Sequence, residues 1–348
     1  MKLGLMYTGG TIGCFYKPLR PMTKDEFALL FDAQALPILR SKFTTLTIEY
    51  VPFGPPALDS TNVKPVDWCK IVSTILPRYD DLDAFLVLHG TDTMSYSAAA
   101  LSFLFTGLND QGHRNAILNK PIILTGSQVP LFDGETTATA KMRFNTDAFQ
   151  NLCGAISCAC YGIPKVCLFF HHKLFLGTRT QKTSSNQFEA FSSPNYPPLA
   201  QVGIDTTLNH GNIRLNFPNR QKLLSNPQAR ERLQTQLDFI QSLGNGIRVS
   251  AFEAYPTTPE HLAGQLRSLL HLGDPDQQLD GLILEAYGAG NFPSGSPKDP
   301  TQGIVYQVLA EATQQGVIIV NNTSCLSGIQ LWIPVPTNRG LGCNRSKL

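Results

Sequence analysis

A chain of 348 residues with 42% hydrophobic side chains has enough apolar material for a sizeable core and two domains, which excludes a disordered or disulfide-stapled mini-protein. Only 16% of its residues are charged, its net charge is +2 and it has no basic runs, so neither nucleic acid nor an anionic membrane is an expected partner. Its 8 cysteines are scattered without C-x-x-C spacing, which points to a reducing compartment and away from a tetrahedral metal site.

Residues 2–7, 46–51, 83–89, 121–125 and 166–170 are apolar runs of strand length. Between them, 24–40, 65–77, 94–106 and 138–152 carry helical spacing. The runs are continuous rather than alternating, so an α/β fold is expected: a large domain with a mostly parallel, doubly wound sheet buried on both faces. The first run is too short for a secretory leader. The stretch "LCGAISCACYGIPKVCLFF" is broken by Gly162, Pro164 and Lys165 and reads as a helix end followed by a strand, not as a membrane span.

Around 194–245 the alternation breaks down in "SPNYPPLAQ" and a polar stretch with one exposed helix. It resumes with "GIRVSAF", "PEHLAGQLRSLLHL", "DGLILEAYG", "GIVYQVLAEATQQ" and "GVIIVNNTS". The expected organisation is a domain over 1–205, a linker over 206–245 and a smaller C-terminal α/β domain over 246–348. From about 329 the tail "IQLWIPVPTNRGLGCNRSKL" has several turn-formers and no helical period, as if the smaller domain were truncated.

In open parallel sheets the ligand crevice lies beyond the carboxyl ends of the strands, so the residues that follow each apolar run carry the chemistry. After the first run comes "TGGTIG", which lacks both the glycine spacing and the following helix of a dinucleotide fingerprint. It offers instead exposed N–H groups and two hydroxyls, Thr8 and Thr11. After the third run, Thr91, Asp92 and Thr93 of "HGTDTM" open an alanine-rich helix, where a plain capping role is the competing reading. "TGSQVP" and "FLGTRTQKTSSNQ" follow the fourth and fifth runs and bring further hydroxyls and a lysine to the same crevice. His89, His171 and His172 end strands without carboxylates or thiols at ligand spacing and are read as structural.

"YTGGTIG", "LHGTDTM", "TGSQVP" and "GTRTQKTSSNQFEAFSSPNYPPL" resemble, in order and spacing, the motifs of the bacterial-type L-asparaginases, most closely the cytoplasmic type I branch. The resemblance covers roughly residues 1–330. It implies an amidohydrolase that converts L-asparagine to L-aspartate and ammonia, with glutamine as a weaker substrate, no metal or other cofactor, and assembly as a homodimer or homotetramer. It makes Thr11 the nucleophile and Thr91, Asp92 and Lys182 a second catalytic cluster. In that cluster Lys182 acts as base through Thr91 and Asp92 binds the substrate ammonium. Ser60, Thr61 and Ser127 match substrate-binding positions. Asn291 matches a loop that approaches a neighbouring subunit's site.

Members of the family place a tyrosine after the glycine loop, and here Tyr16 is the one available. Where some type I members carry an arginine and a threonine for a regulatory asparagine, this chain has Glu285 and Gln181. Two other readings stay open: a catalytically impaired relative with an incomplete C-terminal domain, and a subunit of a transfer-RNA-dependent amidotransferase.

Overall fold

The computed structural model describes residues 1–15, 19–54, 56–213, 219–244, 246–296 and 298–328. It falls into two compact units, Met1–Ser242 and one that begins at Leu243.

In the first unit, strands β1 (Lys2–Tyr7), β2 (Thr47–Tyr50), β3 (Ala84–Leu88), β4 (Ile122–Thr125) and β5 (Val166–Phe170) lie parallel in the order β2-β1-β3-β4-β5. Each corresponds to one of the apolar runs. β5 turns back through His171 and His172, at φ 43° and 68°, into the antiparallel β6 (Lys173–Leu176). Two positive φ values at the centre of a two-residue connection match the right-handed twist of a hairpin. A short ribbon of β7 (Gln181–Lys182) and β8 (Phe191–Ser192) follows. β9 (Ala200–Val202) and β10 (Thr206–Leu208) then complete an eight-stranded sheet beyond β6.

Successive side chains of a strand face opposite ways, so a parallel sheet needs cover on both sides. Leu3, Leu5 and Tyr7 face α1 (Lys24–Leu30), α2 (Leu36–Lys42) and α5 (Ala148–Ala159). Met6, Phe85, Val87 and Leu168 face α3 (Pro65–Ile75) and α4 (Met94–Leu104). A π-helical turn, Phe31–Ala35, joins α1 to α2. The β4–α5–β5 crossover advances in the same direction as β3–α4–β4 but over the opposite face, so it has the opposite hand to the other three crossovers.

Two expectations are corrected. Helix α5 begins at Ala148, not near 138. Lys141–Met142 pairs instead with Phe132–Asp133, and the Gln34 side chain bonds Ala140 O and Met142 N, so that backbone is satisfied outside a helix. The stretch 206–245 is not a free linker, because β10 extends the sheet and α6 (Pro227–Ser242) buries Ala229, Leu233 and Leu237 in the first unit's core.

The second unit has three parallel strands, β11 (Val249–Glu253), β12 (Gly281–Ala286) and β13 (Ile318–Thr323), in sequence order. Its helices α7 (Pro259–Leu270) and α8 (Ile304–Gln314) pack on Leu282, Leu284 and Ile319, all on one face. The tail from 329 lies outside the described residues. No helix among the described residues is long and apolar enough to cross a membrane.

Candidate active site

The strand order reverses direction between β1 and β3, and at such a switch point the loops leaving neighbouring strands part to form a crevice. The loops after β1 and β3 are held there by backbone contact. A methyl group on Gly10 (φ 84°) would lie 2.3 Å from Gly90 Cα, and one on Gly9 (φ 122°) would lie 2.2 Å from Leu58 O. These positions need glycine for both conformation and clearance. Gly10 N–H donates to Leu58 O at 3.0 Å, and Thr8 donates through its hydroxyl to Leu88 O at 2.8 Å.

Three loops therefore meet in the crevice. The first carries Thr11, which opens a single 3-10 turn, Thr11–Gly13. Thr11 is half-buried, and among the described residues its hydroxyl has no hydrogen-bond partner. The second carries Ser60 and Thr61: Ser60 is buried against Gly90, and Thr61 N–H donates to Asp59 Oδ1 at 3.0 Å. The third carries Thr91 and Asp92, with Thr93 donating to Ser60 O at 2.7 Å.

The capping reading of "GTDT" fails on geometry. Helix α4 starts after Thr93 with no side-chain cap bond, while Thr91 and Asp92 both turn to Lys182. Lys182 Nζ donates to Thr91 Oγ1 at 2.9 Å and to Asp92 Oδ1 at 2.7 Å. It reaches them from β7, where it pairs with Phe191, a residue buried against Phe170. Thr91 is buried, Lys182 is largely so, and the Asp92 carboxylate remains open to solvent. The arrangement leaves a lysine nitrogen, a hydroxyl and a carboxylate contiguous at the edge of the crevice.

Ser127 is buried in the turn after β4, and its hydroxyl has no hydrogen-bond partner among the described residues. Asn291 lies in the second unit, exposed, in a turn where its backbone exchanges hydrogen bonds of 2.8 and 3.0 Å with Tyr287. Glu285 sits in register with Glu253 and Asn322 on the same small sheet, and Gln181 precedes Lys182 on β7. Tyr16 lies outside the described residues.

His89 ends β3 as a buried structural group whose tautomer is set by its neighbours. Nδ1 lies 2.7 Å from Gly90 O and must carry the proton, so Nε2 accepts from Ser97 Oγ at 2.9 Å, which in turn accepts from Trp68 Nε1 at 2.8 Å. Burial lowers the pKa of this imidazole, with the Gly90 contact opposing, and keeps it neutral.

Sequence reasoning missed two residues. Gln128 Oε1 accepts from Thr91 Oγ1 at 3.3 Å. Asp147 accepts the N–H groups of Gln128 and Val129 at 3.0 to 3.2 Å. Gln128 could have been found, since it follows a strand in the same crevice as Ser127. Asp147 could not, because nothing local tells that its carboxylate reaches back 19 residues to Gln128 rather than capping α5.

A parallel sheet that brings hydroxyls, a carboxylate and a lysine to its switch point defines an α/β protein equipped for acyl transfer. A family model described as asparaginase, N-terminal, matches residues 2–214. The chain is 35% identical to L-asparaginase 1 of Escherichia coli over 92% of its own length and 79% of that protein's. It is 32% identical to the 60 kDa lysophospholipase of Mus musculus, spanning 94% of this chain and 52% of that one. The solved structure of L-asparaginase I from Vibrio cholerae matches with a TM-score of 0.68 and 30% identity, covering 94% of this chain and 82% of that chain. The chain belongs to the asparaginase family.

Proposed function

We propose that the protein is an L-asparaginase, hydrolysing the side-chain amide of L-asparagine to L-aspartate and ammonia. The observation that carries the proposal is the contact of Lys182 with Thr91 and Asp92 beside the Thr11 loop at the sheet's switch point. In this reading Thr11 Oγ attacks the amide carbon, the C–N bond breaks and the nitrogen leaves as ammonia with the proton given up by the hydroxyl. Water then cleaves the resulting ester and regenerates Thr11. Lys182 acts as the base through Thr91, and Asp92 binds the substrate ammonium. Ser60 and Thr61 hold the substrate carboxylate, and Ser127 lines the pocket through its main chain.

A reducing, cytoplasmic setting accords with the seven described cysteines, all of them free. Assembly as a homo-oligomer, with Asn291 near a neighbouring subunit's site, accords with exposed apolar side chains such as Phe103, Phe144 and Ile204. The test of the activity is ammonia and aspartate release from L-asparagine by the full chain and by Thr11→Ala. Equimolar products from the wild type and none from the variant are expected. A folded wild type that releases neither would overturn the proposal in favour of the catalytically impaired relative.

A further inference from the structure

The turn that follows β4 leaves two polar groups of one residue without partners. Ser127 is 1% exposed, yet among the described residues neither its hydroxyl nor its carbonyl takes part in a hydrogen bond. Buried polar groups are nearly always paired, so these two call for a partner from outside the chain.

The carbonyl is held by the peptide it belongs to. Gln128 N–H donates to both carboxylate oxygens of Asp147, at 3.1 and 3.0 Å, and Val129 N–H donates to Oδ1 at 3.2 Å. Two successive N–H groups thus converge on one carboxylate, on a residue only 4% exposed. Asp147 Oδ2 also accepts from Asn151 Nδ2 at 3.1 Å, and Asn151 in turn donates to Gly126 O at 2.9 Å and accepts from His171 N–H at 3.0 Å. A buried, charge-assisted clamp of this kind fixes the orientation of the peptide far better than solvent can.

A trans peptide directs its carbonyl and its N–H to opposite sides. With Gln128 N–H bound to Asp147 at the start of α5, the Ser127 carbonyl is turned away from that helix. On the other side of the turn lies the loop after β3. A methyl group on Gly126 would lie 2.2 Å from His89 O, and Gln128 Oε1 accepts from Thr91 Oγ1 at 3.3 Å.

We infer that Asp147 is a positioning residue for the proposed reaction: by holding Gln128 N–H it aims the Ser127 carbonyl into the crevice, where that oxygen accepts an N–H of the substrate's side-chain amide. The inference rests on the asparaginase reading, in which the Ser127 main chain lines the pocket. A carbonyl accepts and cannot donate, so it suits an NH2 group and offers nothing to an ester oxygen. Asp147 itself touches no substrate. The competing account is a purely structural clamp, needed only to seat α5.

Two substrates and two full-length variants separate these accounts. L-Aspartate β-methyl ester carries no N–H on its leaving group, unlike L-asparagine. Asp147→Asn keeps the side-chain volume but turns an N–H group towards donors that need an acceptor. Leu152→Ala loosens α5 in the core without removing a hydrogen bond of the turn. In Asp147→Asn the kcat/KM for L-asparagine relative to the ester should fall about tenfold, whereas Leu152→Ala should keep the wild-type ratio within about threefold. If Asp147→Asn does not fold, Asp147→Ser is held to the same ratio. A ratio within threefold of wild type in the Asp147 variant, or an equal fall in Leu152→Ala, would overturn the inference. A folded wild type that hydrolyses neither substrate would instead overturn the asparaginase reading on which it stands.

Discussion

In the first unit the neighbouring residues Leu5 and Met6 of β1 are both buried, one against the α1, α2 and α5 side and the other against α3 and α4. In the second unit Ile319 of β13 is buried under α7 and α8, while Ile318 and Val320 on either side of it are 56% and 49% exposed. The five central strands of the larger sheet and all three of the smaller are parallel, yet among the described residues the larger is closed on two faces and the smaller on one. Val249, Ile318 and Val320 form the open face, joined through the register by Ala251 and Ile283. Enclosure on both faces immobilises the carboxyl ends of β1, β3 and β4, which allows loops of glycine and threonine to be held within hydrogen-bonding distance of one another. Chemistry therefore collects on the closed sheet.

The sharpest way to break this contrast is to disable the closed sheet's lysine. Lys182→Met should lower kcat by about a thousandfold or more with little change in melting temperature, because the residue works in proton transfer and not in packing. Retention of more than a tenth of the activity would remove Lys182 from the mechanism.

Core truncation probes the same contrast through stability. Leu86→Ala, buried in the large sheet, should cost about 2 to 5 kcal/mol, and Leu284→Ala, beneath α7 and α8, a similar amount. Val320→Ser on the open face should cost less than about 1 kcal/mol. Urea unfolding followed by probes in each unit compares the three, and a large cost for Val320→Ser would mean that its face is covered.

The next effect is one of pH. His89 titrates at a lowered value when folded, so its contribution is present above the ordinary histidine value of 6.5 and is lost as pH falls towards the folded value. Unfolding free energy should therefore decline by about 1.4 kcal/mol per pH unit from this group below that point. In His89→Gln that component of the slope should vanish even if the variant is less stable at every pH. An unchanged slope would contradict the neutral, buried assignment.

The smallest effect expected is on dye binding. Val320→Ser should weaken binding of a hydrophobic dye at the open face by a modest fraction, whereas Ala98→Ser in the closed sheet's cover should not reduce it.

The parallel core was legible because strands buried on both faces are written as unbroken apolar runs, from "KLGLMY" to "VCLFF". Thr91 and Asp92 were legible as polar residues directly after such a run and Lys182 through the motif it shares with the asparaginases, and the structure draws the three together. What stayed hidden was set by distant partners. Residues 138–147 have helical spacing, but Gln34 and the 132–133 strand claim their backbone. The polar look of 227–242 concealed a narrow stripe of Ala229, Leu233 and Leu237 that suffices to dock α6. Asp147 lay unremarked inside the 138–152 stretch and serves as a clamp on the Ser127 turn.

The most direct test of the account is to intercept the ester it requires on Thr11. The full chain should be incubated with L-asparagine and hydroxylamine, and the β-aspartyl hydroxamate measured beside ammonia for the wild type and Thr11→Ala. The account predicts hydroxamate formation by the wild type and neither product from the variant. Ammonia release that persists in Thr11→Ala would contradict it, since hydrolysis would then proceed without the threonine.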